Sequence, residues 1–341
     1  MKDKYRNWFL GFGVVAVVVM ILSFDMDYYD LWLNLKRAGG YLPLILLLWL
    51  VIYVLNTCSW YVIIRSDGQT RFSFMRLYKI TVSGFALNYV TPVGLMGGEP
   101  YRIMELTPYV GVERATSSVV LYVMTHIFSH FCLWMSAVIL YLCLYPVGWA
   151  MGLVLAFVTL FCVLLGGLFV RGYRQGMAAA VIRLGTMIPY LKRHALRLAE
   201  AHRDKIEVID QQIALLHRQK KHHFYTALFS EYLARVVSCL EVWLILNILT
   251  TNVSFWDCIL IVAFSSLLAN LLFFMPMQIG GREGGFALAV EGLSLTGAYG
   301  VYTALITRVR EIVWILIGLA LMKIGNKKPV SSDPPKNTTR E

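Results

Sequence analysis

The residues of this chain that could do chemistry are glutamates and arginines set into apolar stretches broken by glycine and proline. Pro92, Gly97, Gly98, Glu99 and Arg102 form one such group, and Pro276, Gly280, Gly281, Arg282 and Glu283 form another. In both, the glutamate stands seven positions after the proline, and the prolines at 92 and 276 keep the same separation as the glutamates at 99 and 283, 184 residues. Arg308, Arg310 and Glu311 lie in a later apolar run, and 184 positions before Arg310 stands His126. Each uncompensated charge near a bilayer centre costs about 2.5–3.5 kcal/mol on insertion scales, so such a group persists only if paired, hydrated or used.

What these groups could do is hold an anion. A glycine break lets the backbone turn, and Pro100 suits the first turn of a helix that follows. A helix starting there aims free N–H groups and a partial positive charge inward. Two such starts converging make a site for a phosphate headgroup. Asn88 and Asn270, near the ends of the preceding arms, can bond freed backbone groups or a ligand. Kinks alone would need glycine and proline but not charge. Glu99 and Glu283 oppose an anion unless the arginines outweigh them or one is protonated. A proton-coupled cycle and a zwitterionic or cationic headgroup are both open. Glu231 and Arg235, four apart, are expected to neutralise each other. Glu241 has no local partner and needs one from another helix, and His130 reads as structural.

The elements that position these residues follow from composition. With 341 residues, 58% hydrophobic and 15% charged, the chain has the make-up of an integral membrane protein. Its net charge of +11 sits at the ends of apolar runs and in one long loop, as topology signals do, so no nucleic-acid role is expected. The six cysteines show no C-x-x-C pair, and His217, His222 and His223 lack ligand-spaced partners, so neither a disulfide, a metal nor another cofactor is expected.

Runs of about 17–25 apolar residues predict full spans at 8–24 (uncleaved), 41–64, 115–144, 147–170, 224–249 and 301–324. The segments 74–106 and 256–295 each read as an apolar arm, a break and a shorter arm. If both turn back, the N-terminus, the 65–79 region, the 171–221 loop and the tail all lie in the cytoplasm, in accord with the positive-inside rule. The expected fold is an all-α polytopic membrane protein. About six full transmembrane helices and two re-entrant broken helices form inverted-topology repeats, a plan common in secondary transporters. One transmembrane domain covers 1–324, with repeat one at about 41–145, a basic helical loop at 171–223 and repeat two at about 224–324. The 325–341 tail reads as disordered.

Asn88 through Pro92 followed by Gly98-Glu99-Pro100-Tyr101-Arg102, Pro276 with Gly280-Gly281-Arg282-Glu283, and Arg308 and Arg310 resemble the flippase-like transmembrane domain of lysylphosphatidylglycerol synthases. That family includes the membrane half of the multiple peptide resistance factor. The resemblance implies lipid translocation in a prokaryotic inner membrane. Two departures stand out: the second break is shorter than the commoner family spacing, and histidines occupy a span where many relatives place an arginine. Only a short tail follows Ile324, where aminoacyl-lipid makers carry a soluble synthase domain, so no lipid lysylation is expected.

The reading is a transporter for a phospholipid or polyprenyl-linked phosphate lipid, not an enzyme, with the membrane and a second copy of the chain as partners. Its substrate groups would be Glu99, Arg102, Arg282, Glu283, Arg308, Arg310, Glu311, His126, Asn88, Gly97, Gly98, Gly280 and Gly281. The alternatives are an intramembrane lipid-linked glycosyl or phosphoryl transferase, with Glu99 or His126 as base, and a small-anion carrier.

Overall fold

The computed structural model describes residues 7, 11, 33, 36, 38–65, 72–90, 97–175, 197, 200, 221–250, 253–271 and 281–324. They form helices and no strand. In chain order these are α1 Tyr41–Ile64, α2 Phe74–Val90, α3 Gly98–Val110, α4 Val112–Leu144, α5 Trp149–Gln175, α6 Lys221–Leu249, α7 Phe255–Leu271, α8 Gly281–Glu291 and α9 Gly297–Leu321. Among them α1, α4, α6 and the Trp149–Arg171 part of α5 are long and apolar enough to cross a membrane. The expected span at 8–24, most of the 171–223 loop and the 325–341 tail lie outside the described residues.

Polarity is arranged for lipid. On α5, Trp149, Leu153, Phe157, Leu160, Leu164 and Leu168 recur every three or four residues and all face outward. In water such a stripe would be an adhesive patch; in hydrocarbon it is solvated. The interior is where the polar groups are: Thr57, Thr81, Ser83, Ser117, Thr125, Ser129, Thr303 and Thr307 are buried. Several of them, Thr57 and Thr125 included, bond the carbonyl one turn back, which satisfies their hydroxyls within their own helix.

The two broken segments appear as α2 with α3 and α7 with α8. Both first arms have 17 residues, and the second arms have 13 and 11. At 1.5 Å per residue the second arms reach about 20 Å and 17 Å, short of a hydrocarbon core of about 30 Å. The chain runs out along α2 and back along α3. The Phe72 ring meets Tyr109 at 5.3 Å, and the Arg76 guanidinium lies 4.6 Å from the Tyr109 ring centre. Gly111, with φ 83°, then turns the chain into α4, a conformation that glycine takes without strain. Arg114 at the start of α4 reaches back to the carbonyl of Ile64 at the end of α1, at 2.9 Å.

The packing has a regularity that no single helix shows. Every helix pair that packs among α1–α4 has a packed counterpart when α1, α2, α3 and α4 are exchanged for α6, α7, α8 and α9. Pairs between the two sets obey the same exchange: α2 packs on α9 as α7 packs on α4, and α1 packs on α6. The cores follow it too. Tyr53, Val82 and Trp314 join α1, α2 and α9, while Cys239, Ile259 and Trp134 join α6, α7 and α4. Even the ends correspond: Lys79 near the start of α2 bonds the carbonyl of Ile324 after α9, and Tyr145 after α4 bonds Asp257 near the start of α7 at 2.7 Å.

Candidate functional site

Around the first break, Asn88 at the end of α2 binds the start of α3 through both ends of its amide. Its Oδ1 accepts from the Gly98 N–H at 2.7 Å, and its Nδ2 donates to Glu99 Oε1 at 2.9 Å. The N–H expected to await an anion is thus already engaged. Gly97 has φ −92°, which any residue adopts, so its glycine is not there for the backbone angle. Gly98 is needed for proximity: a Cβ would stand 2.2 Å from the Gly84 carbonyl oxygen. Pro92, Pro276 and Gly280 lie outside the described residues.

Glu99 occupies the first turn of α3, where the helix dipole favours a carboxylate. Arg102 donates to it at 3.2 Å and is itself 1% exposed. The rings of Phe85, Tyr122 and Trp60 surround that guanidinium at 4.7, 5.3 and 5.9 Å, a cation–π box drawn from α2, α4 and α1. Two of its nitrogens, Nε and one terminal nitrogen, are buried without a hydrogen-bond partner, as is Glu99 Oε2.

Around the second break, Gly281 opens α8 and Arg282 bonds Glu311 on α9. Arg308 on α9 reaches Glu283 at 3.3 Å and Glu311 at 3.5 Å. Arg310 grips Glu241 of α6 with two bonds, 2.8 and 3.0 Å, and lies 3.6 Å from Glu311. The Trp49 indole of α1 donates to the same Glu241 at 2.8 Å, and its ring centre is 3.7 Å from the Arg310 guanidinium. Tyr89 of α2 lies within electrostatic reach of Glu311, Arg310, Arg282 and Glu241, and also of Arg235 on α6.

A third group joins α4 to α6. Glu231 and Arg235 do not form the mutual pair their spacing predicts; both bind His126, the carboxylate at Nδ1 (2.7 Å) and the guanidinium at Nε2 (2.9 Å). Arg235 also donates to Ser129 at 2.8 Å. Asn270 is exposed and, among the described residues, donates to the Ser266 carbonyl of its own helix at 2.7 Å.

These contacts answer the electrostatic objection to the site. Glu99, Glu231, Glu241, Glu283 and Glu311 are matched in number by Arg102, Arg235, Arg282, Arg308 and Arg310, and four of the five carboxylates are in direct ion pairs with arginine. Among the described residues, these five carboxylates and five arginines cancel in formal charge. The sequence reading missed Trp49, Trp60, Phe85, Tyr89 and Tyr122. A tryptophan well inside a span was the available signal, since its N–H must find a partner there.

Such a protein, helical throughout its described residues, lipid-facing outside and ion-paired within, is a polytopic membrane protein. The chain belongs to the family described as the lysylphosphatidylglycerol synthase TM region, matched over residues 8–319. Neither a curated protein nor a solved structure matches it.

Proposed function

We propose that the protein moves a lipid with a phosphate headgroup, a phospholipid or a polyprenyl-linked intermediate, between the leaflets of a cell inner membrane. The observation that carries this reading is the pair of short helices, α3 and α8. Each begins inside the fold with a glutamate in its first turn and an arginine bonded to it, at equivalent places in two packing units. Their length supports re-entrant hairpins. The opposite ends joined by Lys79 with Ile324 and by Tyr145 with Asp257 support inverted repeats, with both termini in the cytoplasm.

The mechanism follows from exchange of partners. A headgroup phosphate in hydrocarbon needs a cation in place of water. Glu99 and Glu283 are the less enclosed members of their pairs, 18% and 20% exposed, against 1% and 6% for Arg102 and Arg308. A phosphate entering from the side displaces these carboxylates and inherits the arginines, so one charge pair replaces another. Fixed dipoles at two helix starts hold it meanwhile. Alternating exposure of the two hairpins to the two leaflets completes transfer.

The test is headgroup accessibility in reconstituted vesicles, with a headgroup-labelled phospholipid and an impermeant quencher. The wild-type chain exchanges the label between leaflets, and Glu99→Ala and Glu283→Ala abolish exchange in protein that is still folded. Wild-type exchange in both variants overturns the proposal.

A further inference from the structure

We propose that His126 and Glu231 form a proton-binding site, and that the proton taken up there is the co-substrate that admits an anionic headgroup. The second half rests on the transport reading above; the first does not.

Geometry fixes the starting state. Arg235 can only donate, so His126 Nε2, 2.9 Å away, must offer its lone pair. The imidazole proton is therefore on Nδ1 and is donated to Glu231 at 2.7 Å. The ring is neutral, and Glu231 accepts at Oε2, which leaves Oε1 to gain or lose a proton. Glu231 thus differs from the other four interior glutamates. Those each have an arginine in direct contact, whereas its contact is an uncharged ring. Its second oxygen, Oε1, is fully buried with no hydrogen-bond partner, and so are the hydroxyls of Ser59 and Tyr122. Ser59 lies beside the carboxylate, and Tyr122 is within electrostatic reach of it.

The surrounding groups are few. From α4 come Tyr122, Ser129 and His130; from α6, Arg235 and Cys239; from α3, Glu99 and Arg102; from α1, Ser59; and from α2, Phe85 and Tyr89. Among the described residues, no charged side chain of α5, α7 or α9 pairs with His126, Glu231 or Arg235.

The charge balance then dictates a role. Among the described residues, the five arginines and five carboxylates of these groups leave no positive charge over for an incoming anion. A proton from the aqueous phase bonded to Glu231 Oε1 turns carboxylate to carboxylic acid and breaks no arginine pair. The interior gains one positive charge, which one headgroup anion cancels. Release of the anion on the far side lets the proton follow it. By linkage each ligand tightens binding of the other to the same degree.

Two measurements on the full chain test this. In pH-difference infrared spectra of the protein in lipid, a carboxyl C=O band titrates in the wild type, persists in Glu99→Gln and vanishes in Glu231→Gln. A band that survives Glu231→Gln, or no titrating band, overturns the proton site. Should that variant not fold, His126→Gln serves instead: it keeps the carboxyl and must shift the midpoint of the band. In vesicles holding a labelled anionic phospholipid, an imposed pH gradient speeds wild-type exchange down the proton gradient by at least about fivefold, the lower end of ordinary coupling between sites. Glu231→Gln loses that dependence. Wild-type exchange indifferent to the gradient removes the coupling but leaves the transport reading. No exchange under any gradient removes both, and the infrared result still decides the proton site.

Discussion

Arg310, Glu241 and Trp49 show what the buried charges do for the fold itself. Arg310 and Glu241 are 1% and 4% exposed and share two hydrogen bonds, with the indole satisfying one carboxylate oxygen a second time. Removing one member leaves the other charged and unsolvated. Glu241→Ala is therefore expected to lower stability by about 3–5 kcal/mol, while replacing both partners by methionine restores most of that loss. Thermal unfolding in detergent of the two single variants and the double variant measures the difference. A double variant as unstable as the sum of the singles would show that the pair's worth is not mutual. Glu283→Ala is partly spared this penalty because Arg308 keeps Glu311 at 3.5 Å, whereas Glu99→Ala leaves the buried Arg102 without its carboxylate, so its exchange rate is read together with its unfolding temperature.

At the level of helices, the crossing of α2 with α3 sets the position of Arg102. An alanine Cβ at Gly98 meets backbone, the Gly84 carbonyl oxygen at 2.2 Å, whereas one at Gly84 meets the Arg102 side chain, Nε at 2.3 Å. Backbone cannot yield cheaply and a side chain can. Gly98→Ala is expected to cost about 1–3 kcal/mol through overpacking. Gly84→Ala should fold nearly as the wild type but pivot the guanidinium out of its aromatic box and slow lipid exchange. Equal stability of the two variants would refute the distinction. The sequence announced these helices better than their contacts. The span expected at 41–64 is α1 to the residue, and both broken segments show a long arm and a shorter one. Repetition and apolar length are local signals and could be read directly. The start of α4 at Val112 and not 115 depends on the turn at Gly111, and the closeness of Gly98 to Gly84 depends on how two helices cross. Glu231 is the clearest case. The four-residue spacing favours Arg235, yet the bonded partner is His126, 105 positions away, because the α4–α6 contact brings the imidazole between them.

For the molecule as a whole, the exchange of α1–α4 with α6–α9 bears directly on membrane topology. Lys79 is tied to the carbonyl after α9, and Arg114 to the end of α1, so the starts of α2 and α4 and the ends of α1 and α9 share one face. α4 then runs 33 residues, about 50 Å at 1.5 Å per residue, to the opposite face, where Tyr145 meets Asp257 at the start of α7. The starts of α2 and α7 therefore lie at opposite ends of the bundle, as the proposed re-entrant hairpins require. In the topology proposed above, Arg65, Arg76, Lys79 and Lys323 at the first face would orient it to the cytoplasm. Met75 and Trp256, 71% and 54% exposed, mark the two entrances. In a chain freed of its six native cysteines, Met75→Cys is expected to react with an impermeant thiol reagent only from the cytoplasmic side, and Trp256→Cys only from outside. Labelling of both from one side would mean that the hairpins enter together. Transfer between leaflets would then lose its geometric basis, since two sites opening to the same face cannot hand a headgroup across.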